Sequence, residues 1–206
     1  MQIGGDLMRH YVDYLRRNYS LGSARIGVIG VLTLAALMTT TGCRKEEVST
    51  TAEALRLILK YNKQGKSDKA IEIALERLRI DPTDVDVHAT VALIYLEKAE
   101  TDGIHRDELI NEALRHVNRA FELAPDSLRV LSPSVAAFER AGDISTTTRC
   151  DRYDRALQFI EREKAIESQY LNSEPRTSAD KWDDVIRMDD GKRARIKQKM
   201  LNARCK

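Results

Sequence analysis

Three cysteines, Cys43, Cys150 and Cys205, are the residues of this chain best suited to covalent chemistry. A thiol can be acylated, oxidised to a disulfide or left free, and its surroundings decide which. Cys43 follows Thr41 and Gly42, small residues that fit a peptidase cleft. Cys150 and Cys205 are the two thiols left over. In an oxidising compartment they are candidates for a disulfide, with a frayed free thiol at the penultimate Cys205 as the alternative. Asp102, His105, Asp107 and Glu108 are metal-ligand types, but clustered acids in an exposed loop are ordinarily solvated, so no metal is expected. The acidic pairs Asp183-Asp184 and Asp189-Asp190 show no apolar pocket that would shift their protonation and read as a soluble charged face. His10, His88, His105 and His116 are scattered through the chain. No Gly-rich phosphate loop, nucleophile elbow or paired-cysteine motif accompanies them. The expectation is a non-enzymatic protein without cofactor, metal or small-molecule substrate.

Arg9, Arg16, Arg17 and Arg25 precede an uncharged run of 13 residues from Ile26 to Met38. A bilayer-spanning helix needs roughly 20 apolar residues, whereas the core of an export signal needs roughly 7–15. Basic flank, short apolar core and then small residues is the order of an export signal. Residues 1–42 are therefore read as a signal peptide and 43–50 as a linker.

Leu37-Met38-Thr39-Thr40-Thr41-Gly42-Cys43 resembles the lipobox of bacterial lipoproteins, although that family prefers Leu where Thr40 stands. The resemblance implies acylation at Cys43 and cleavage before it. Arg44, in place of Asp, is similar to lipoproteins sent to the outer membrane, facing the periplasm. Retention of Ile26–Met38 as a single-pass signal anchor is the competing topology.

From Thr51 onward the pattern is helical and repeats itself. Ala54-x2-Leu57-Ile58-x2-Tyr61, Ala70-x3-Ala74 and Asp81-Pro82 are echoed by His88-x2-Val91-Ala92-x2-Tyr95, Ala113-x3-Val117 and Ala124-Pro125. Tyr61 to Tyr95 spans 34 residues, and each alanine stands 12 before its proline. This resembles the tetratricopeptide repeat, a 34-residue helix–turn–helix unit. Ala70 and Ala113 would allow close helix approach, and Tyr61 and Tyr95 would fill the space above. Gly65 would supply a positive-φ turn, and Pro82 and Pro125 would end the second helices. Asp84 and Ser127 would cap the helices that follow. Arg77 stands where the family usually has Ala. Nine extra residues around Gly103 fall in the second repeat's turn.

A weaker third unit starts at Ser132, read as an N-cap, with Pro133 as the first helical residue. Gly142-Asp143 reads as its turn, and Tyr153 to Ala165 as its second helix. The expected fold is thus all-α, a tetratricopeptide-like solenoid of about three repeats over residues 51–170. Residues 171–206 follow as a linker from Asn172 to Thr177, a short capping helix around Trp182, Val185 and Ile186, and a basic tail.

In the family the first helix of each pair lines a concave face. Leu55, Leu59 and Asn62, then Ala89, Leu93 and Leu96, fall on that stripe and are expected to line a groove for a protein partner. The chain as a whole has 34 Lys+Arg against 32 Asp+Glu, which argues against a general nucleic-acid binder. From Arg187 to Lys206, however, eight Lys/Arg face two Asp. Such a tail has lipid headgroups, lipopolysaccharide or an acidic protein face as possible partners, or is simply solvated. The function expected is a lipid-anchored scaffold or assembly factor of the cell envelope, with a cell-wall- or sugar-binding module as the rival.

Overall fold

The computed structural model describes residues 50–173 and 179–205, with only the backbone described at 170–173 and 179–187. The signal-peptide reading, Cys43 and most of the 43–50 linker lie outside the described residues, as do the side chains of Trp182, Val185 and Ile186. Among the described residues there are seven helices and no strand: α1 (Thr51–Lys63), α2 (Ser67–Ile80), α3 (Val85–Thr101), α4 (Arg106–Leu123), α5 (Leu128–Ile144), α6 (Arg149–Ser173) and α7 (Ala179–Asn202). Each helix packs on the next from α1 to α6. The first helices of successive pairs, α1, α3 and α5, also pack side by side, and α7 lies against α6. This is the stacking of an all-α solenoid.

The local signals explain the first two pairs. Thr50 caps α1 by accepting from the Glu53 N–H at 3.2 Å. Gly65 turns the chain at φ +71°, a conformation in which a Cβ would clash. Ala70 and Ala113 are fully buried. Asp84 caps α3, its Oδ1 accepting from the Val87 N–H at 3.2 Å. Ser127 stands at the N-cap of α5, but its side chain makes no capping bond.

Arg77 is buried at the boundary between the two pairs. Its Nε donates to Asp84 Oδ2 at 3.0 Å, and its Nη2 to Asp81 Oδ2 at 3.2 Å and Thr51 Oγ1 at 3.3 Å. Thr51 Oγ1 also donates to Asp84 Oδ2 at 2.6 Å. One guanidinium thus ties α1, α2 and the cap of α3 together where a small residue would tie nothing.

The third pair departs from expectation. Helix α5 begins at Leu128 rather than Pro133, which sits inside the helix. Proline there removes an N–H that would bond the carbonyl of Arg129. Val130 and Leu131 are nonetheless buried at 1% and 0% exposure, and that burial holds the first turn helical. Gly142 is not in a turn but within α5, where the ring of Tyr153 crosses it. A Cβ on Gly142 would lie 2.5 Å from Tyr153 Cε1, and the ring is anchored because its hydroxyl donates to Asp143 at 2.8 Å. Gly142→Ala is therefore expected to lower stability by about 1–2 kcal/mol, overpacking outweighing the gain of roughly 1 kcal/mol in helix propensity. Urea denaturation checks this, and in a Tyr153→Ala background the same change should stabilise.

The C-terminal segment departs further. Helix α6 continues through Ser173, across the start of the expected linker, and α7 is one helix of 24 residues in place of a short cap and a tail. Gly191 lies within it at a helix-propensity cost of about 1 kcal/mol, which docking must offset.

Candidate functional site

The residues assigned to the groove are mostly core. Leu55, Ala89 and Leu93 are each 4% exposed, Leu96 is 0% and Asn62 is 9%; Leu59 alone is half-buried. The expected open apolar stripe is therefore not there. Helix α3 has α1, α2, α4 and α5 packed around it. A helix covered on most sides must be apolar on most sides, and Ala89 to Leu96 runs through eight positions without a charge. That run was the signal that Leu93 and Leu96 belong inside. Asn62 is also structural: its Nδ2 donates to Glu97 Oε2 at 2.9 Å and its Oδ1 accepts from Ser67 at 3.2 Å.

What the first helices present instead is a row of polar contacts from pair to pair. Asn62 meets Glu97 between α1 and α3, and Asp86 meets Arg129 between α3 and α5. Farther along the same two helices, Arg140 Nη2 donates to Glu100 Oε2 at 2.7 Å. From α5 to α7, Arg195 donates from Nε and Nη2 to the two carboxylate oxygens of Glu139, both at 2.7 Å. Glu139 is buried, and burial alone would raise its pKa. The hydrogen bonds of Arg195 and Lys199 outweigh that and hold it below the ordinary carboxylate range.

These contacts decide what the basic segment does. Lys192 pairs with Asp189 and Glu163, Arg193 with Glu161, Arg195 with Glu139, and Lys199 with both Glu139 and Asp143. Its acidic partner is the repeat array of the same chain. Ile196, fully buried, adds an apolar anchor. A disulfide between Cys150, at the start of α6, and Cys205, just past α7, closes the segment covalently across a separation of 55 residues.

Of the acidic pairs read as a solvated face, Asp190 is exposed but Asp189 is not, and the side chains of Asp183 and Asp184 lie outside the described residues. Asp189 is 1% exposed, between α7 and the carboxylates of Glu163 and Glu167 on α6. Burial pushes Glu163 upward, and burial together with the neighbouring Asp189 and Glu163 pushes Glu167 up to about 8. Burial would lower Lys192, but Glu163 and Asp189 hold it above its ordinary value. Sequence pattern does not bring these four residues together, because they lie on two helices whose approach is tertiary. The i, i+4 spacing of Glu163 and Glu167 was visible and placed both on one face.

Of the acids named around the loop, Asp107 and Glu108 lie in the first turn of α4, and Asp102 has a local role. Asp102 Oδ1 accepts the N–H groups of Ile104 and His105 at 3.1 and 3.0 Å, and its Oδ2 meets His105 Nδ1 at 3.1 Å. These bonds shape the turn ahead of α4. His88 and His116 form a buried pair with Nδ1 atoms 2.8 Å apart. His88 Nε2 lies 3.1 Å from the Pro82 carbonyl and must donate to it. In the neutral pair His116 Nδ1–H therefore donates to His88, leaving His116 Nε2 without a partner. Burial, followed by the charge of His88, lowers His116 to about 4. His116 also stacks on Tyr95 at a centroid distance of 5.8 Å.

No helix among the described residues is long and apolar enough to cross a membrane. The class the fold defines is an all-α solenoid of stacked helix pairs closed by a docked C-terminal helix. No protein-family model, curated protein or solved structure matches the chain.

Proposed function

We propose that this chain is a non-catalytic, tetratricopeptide-like lipoprotein of the bacterial cell envelope that binds another protein. Cys43 carries the lipid, and the outer membrane facing the periplasm is the proposed location. The observation that carries the reading is the pairing of Cys150 with Cys205. Disulfides persist in oxidising compartments, and two of the chain's three cysteines are spent in this one. The third, Cys43, stands behind Thr41-Gly42 at the end of an export-type segment.

The burial of Leu93 and Leu96 changes the expected chemistry of the binding face. The partner meets a layer of first helices where Leu59 sits half-exposed and Asp86, Glu100, Arg129 and Arg140 form charged pairs. Such a surface favours a polar, charge-matched partner over an apolar peptide. In living cells a photo-crosslinker at Leu59 or Ala136 on that layer should trap a discrete partner. The same group at Leu75, exposed on α2, should not. In parallel, labelled palmitate should mark the native chain and not Cys43→Ala. Adducts confined to Leu75, or labelling that survives loss of Cys43, would contradict the reading.

A further inference from the structure

Glu163, Glu167 and Asp189 bring carboxylate oxygens within 4.8 Å of one another at the seam between α6 and α7. They are 3%, 4% and 1% exposed. The cation among them is Lys192, which donates to Asp189 Oδ1 at 2.7 Å and Glu163 Oε2 at 3.3 Å. With all three ionised, the carboxylates outnumber the one ammonium by two negative charges in a desolvated space. Lys192 reaches only one side of the group. On the other side, Glu167 Oε2 and Asp189 Oδ2 are buried with no hydrogen-bond donor. A buried carboxylate oxygen without a donor or cation is costly, and such groups ordinarily coordinate a metal, pair or take up a proton.

We propose that this seam binds a hard divalent cation of the calcium type, with Glu163, Glu167 and Asp189 as its protein ligands. The charge fits, since a divalent ion that displaces any proton from the seam cancels the two charges the ionised group then carries beyond Lys192. The donors fit, being all carboxylate oxygens, with no thiolate or imidazole to favour zinc or copper. The spacing fits as well: calcium–oxygen bonds of about 2.3–2.6 Å place ligand oxygens up to about 5 Å apart across the ion. Magnesium, which dehydrates reluctantly and keeps several waters, suits so enclosed a seam less well. The ion occupies the side facing Glu167 Oε2 and Asp189 Oδ2, while Lys192 keeps the opposite oxygens. It then pins α7 to α6 near the middle of α7, far in sequence from the disulfide at its end.

The competing way to neutralise the seam is a proton held between Glu167 and Asp189, and titration separates the two. The purified full-length chain is stripped with EDTA, dialysed and titrated calorimetrically with CaCl₂ or MgCl₂ near neutral pH. One calcium per chain is expected, with Kd on the order of 10⁻⁴ M or tighter and weaker binding of magnesium. Glu167→Gln and Asp189→Asn keep side-chain shape and reduce charge crowding, so both are expected to fold, with circular dichroism as the check. Each should weaken calcium at least about tenfold. Asp190→Asn, at the exposed partner of Lys164, should not. In the unsubstituted chain calcium should also slow hydrogen exchange in α7, a readout that needs no variant. The absence of saturable calcium binding would overturn the proposal in favour of the proton. Binding unaffected by Glu167→Gln and Asp189→Asn would overturn it equally, by placing the ion elsewhere.

Discussion

Arg77→Ala is expected to destabilise the helical array by about 3–5 kcal/mol, the usual consequence of leaving a buried charge without its partner. The side chains of Arg77 and Asp84 are only 10% and 4% exposed. Without the guanidinium, Asp84 keeps its capping bond to Val87 and the hydroxyl of Thr51 but loses its counter-charge. The damage should spread, because the same group joins α1, α2 and α3. Urea denaturation measures the loss. Adding Asp84→Asn to Arg77→Ala should recover part of it, since the stranded carboxylate is gone while the amide oxygen still caps. A single-variant loss below about 1 kcal/mol would mean the pair behaves as a surface salt bridge.

The second large effect belongs to the disulfide. Cys205→Ser opens a closure spanning 55 residues, which the chain-entropy model values at about 4 kcal/mol. The loss should be local in appearance. Helix α7 keeps Ile196 and the bonds of Arg195 and Lys199 to Glu139, so it remains docked but opens more often. Hydrogen exchange should quicken from Lys192 to Asn202 and stay nearly unchanged in α1 to α4. Adding Glu139→Ala should release the helix, seen as rapid proteolysis within α7. A Cys205→Ser chain with unaltered exchange would show that side-chain docking alone holds α7.

Much of the array could be read from residue types, because its signals are local. Gly65, Ala70, Ala113 and the two prolines act through backbone geometry or helix contact within one pair, and a 34-residue spacing exposes them. Gly65 falls in the turn after α1, and Pro82 and Pro125 fall just past the ends of α2 and α4, as that spacing implies. The failures have a different physical origin. Ser132-Pro133 carried the signature of a helix start, but burial of Val130 and Leu131 started the helix earlier. Leu55, Ala89, Leu93 and Leu96 followed the family's concave positions, yet helix neighbours bury them. The partners of the basic segment within the chain were not legible because Glu139, Asp143 and Glu163 are 29 to 56 residues away. Nothing local links a guanidinium at 195 to a carboxylate at 139.

The contacts between successive first helices also bear on how such a chain can change length. Each junction has its own chemistry, amide to carboxylate at the first and carboxylate to guanidinium at the next. In the 34-residue register Ala52 corresponds to Asp86, while the place of Glu100 falls past the end of α1. If the middle pair were excised, Arg140 would lose its carboxylate and Arg129 would meet a methyl group. Duplicating the first pair would set Asn62 against Lys63 in place of Glu97. Tandem copying, the common route by which repeat proteins grow, would therefore produce mismatched seams until the new junctions were recoded. Its modules behave less like beads on a string than like words in a sentence, legible in one order.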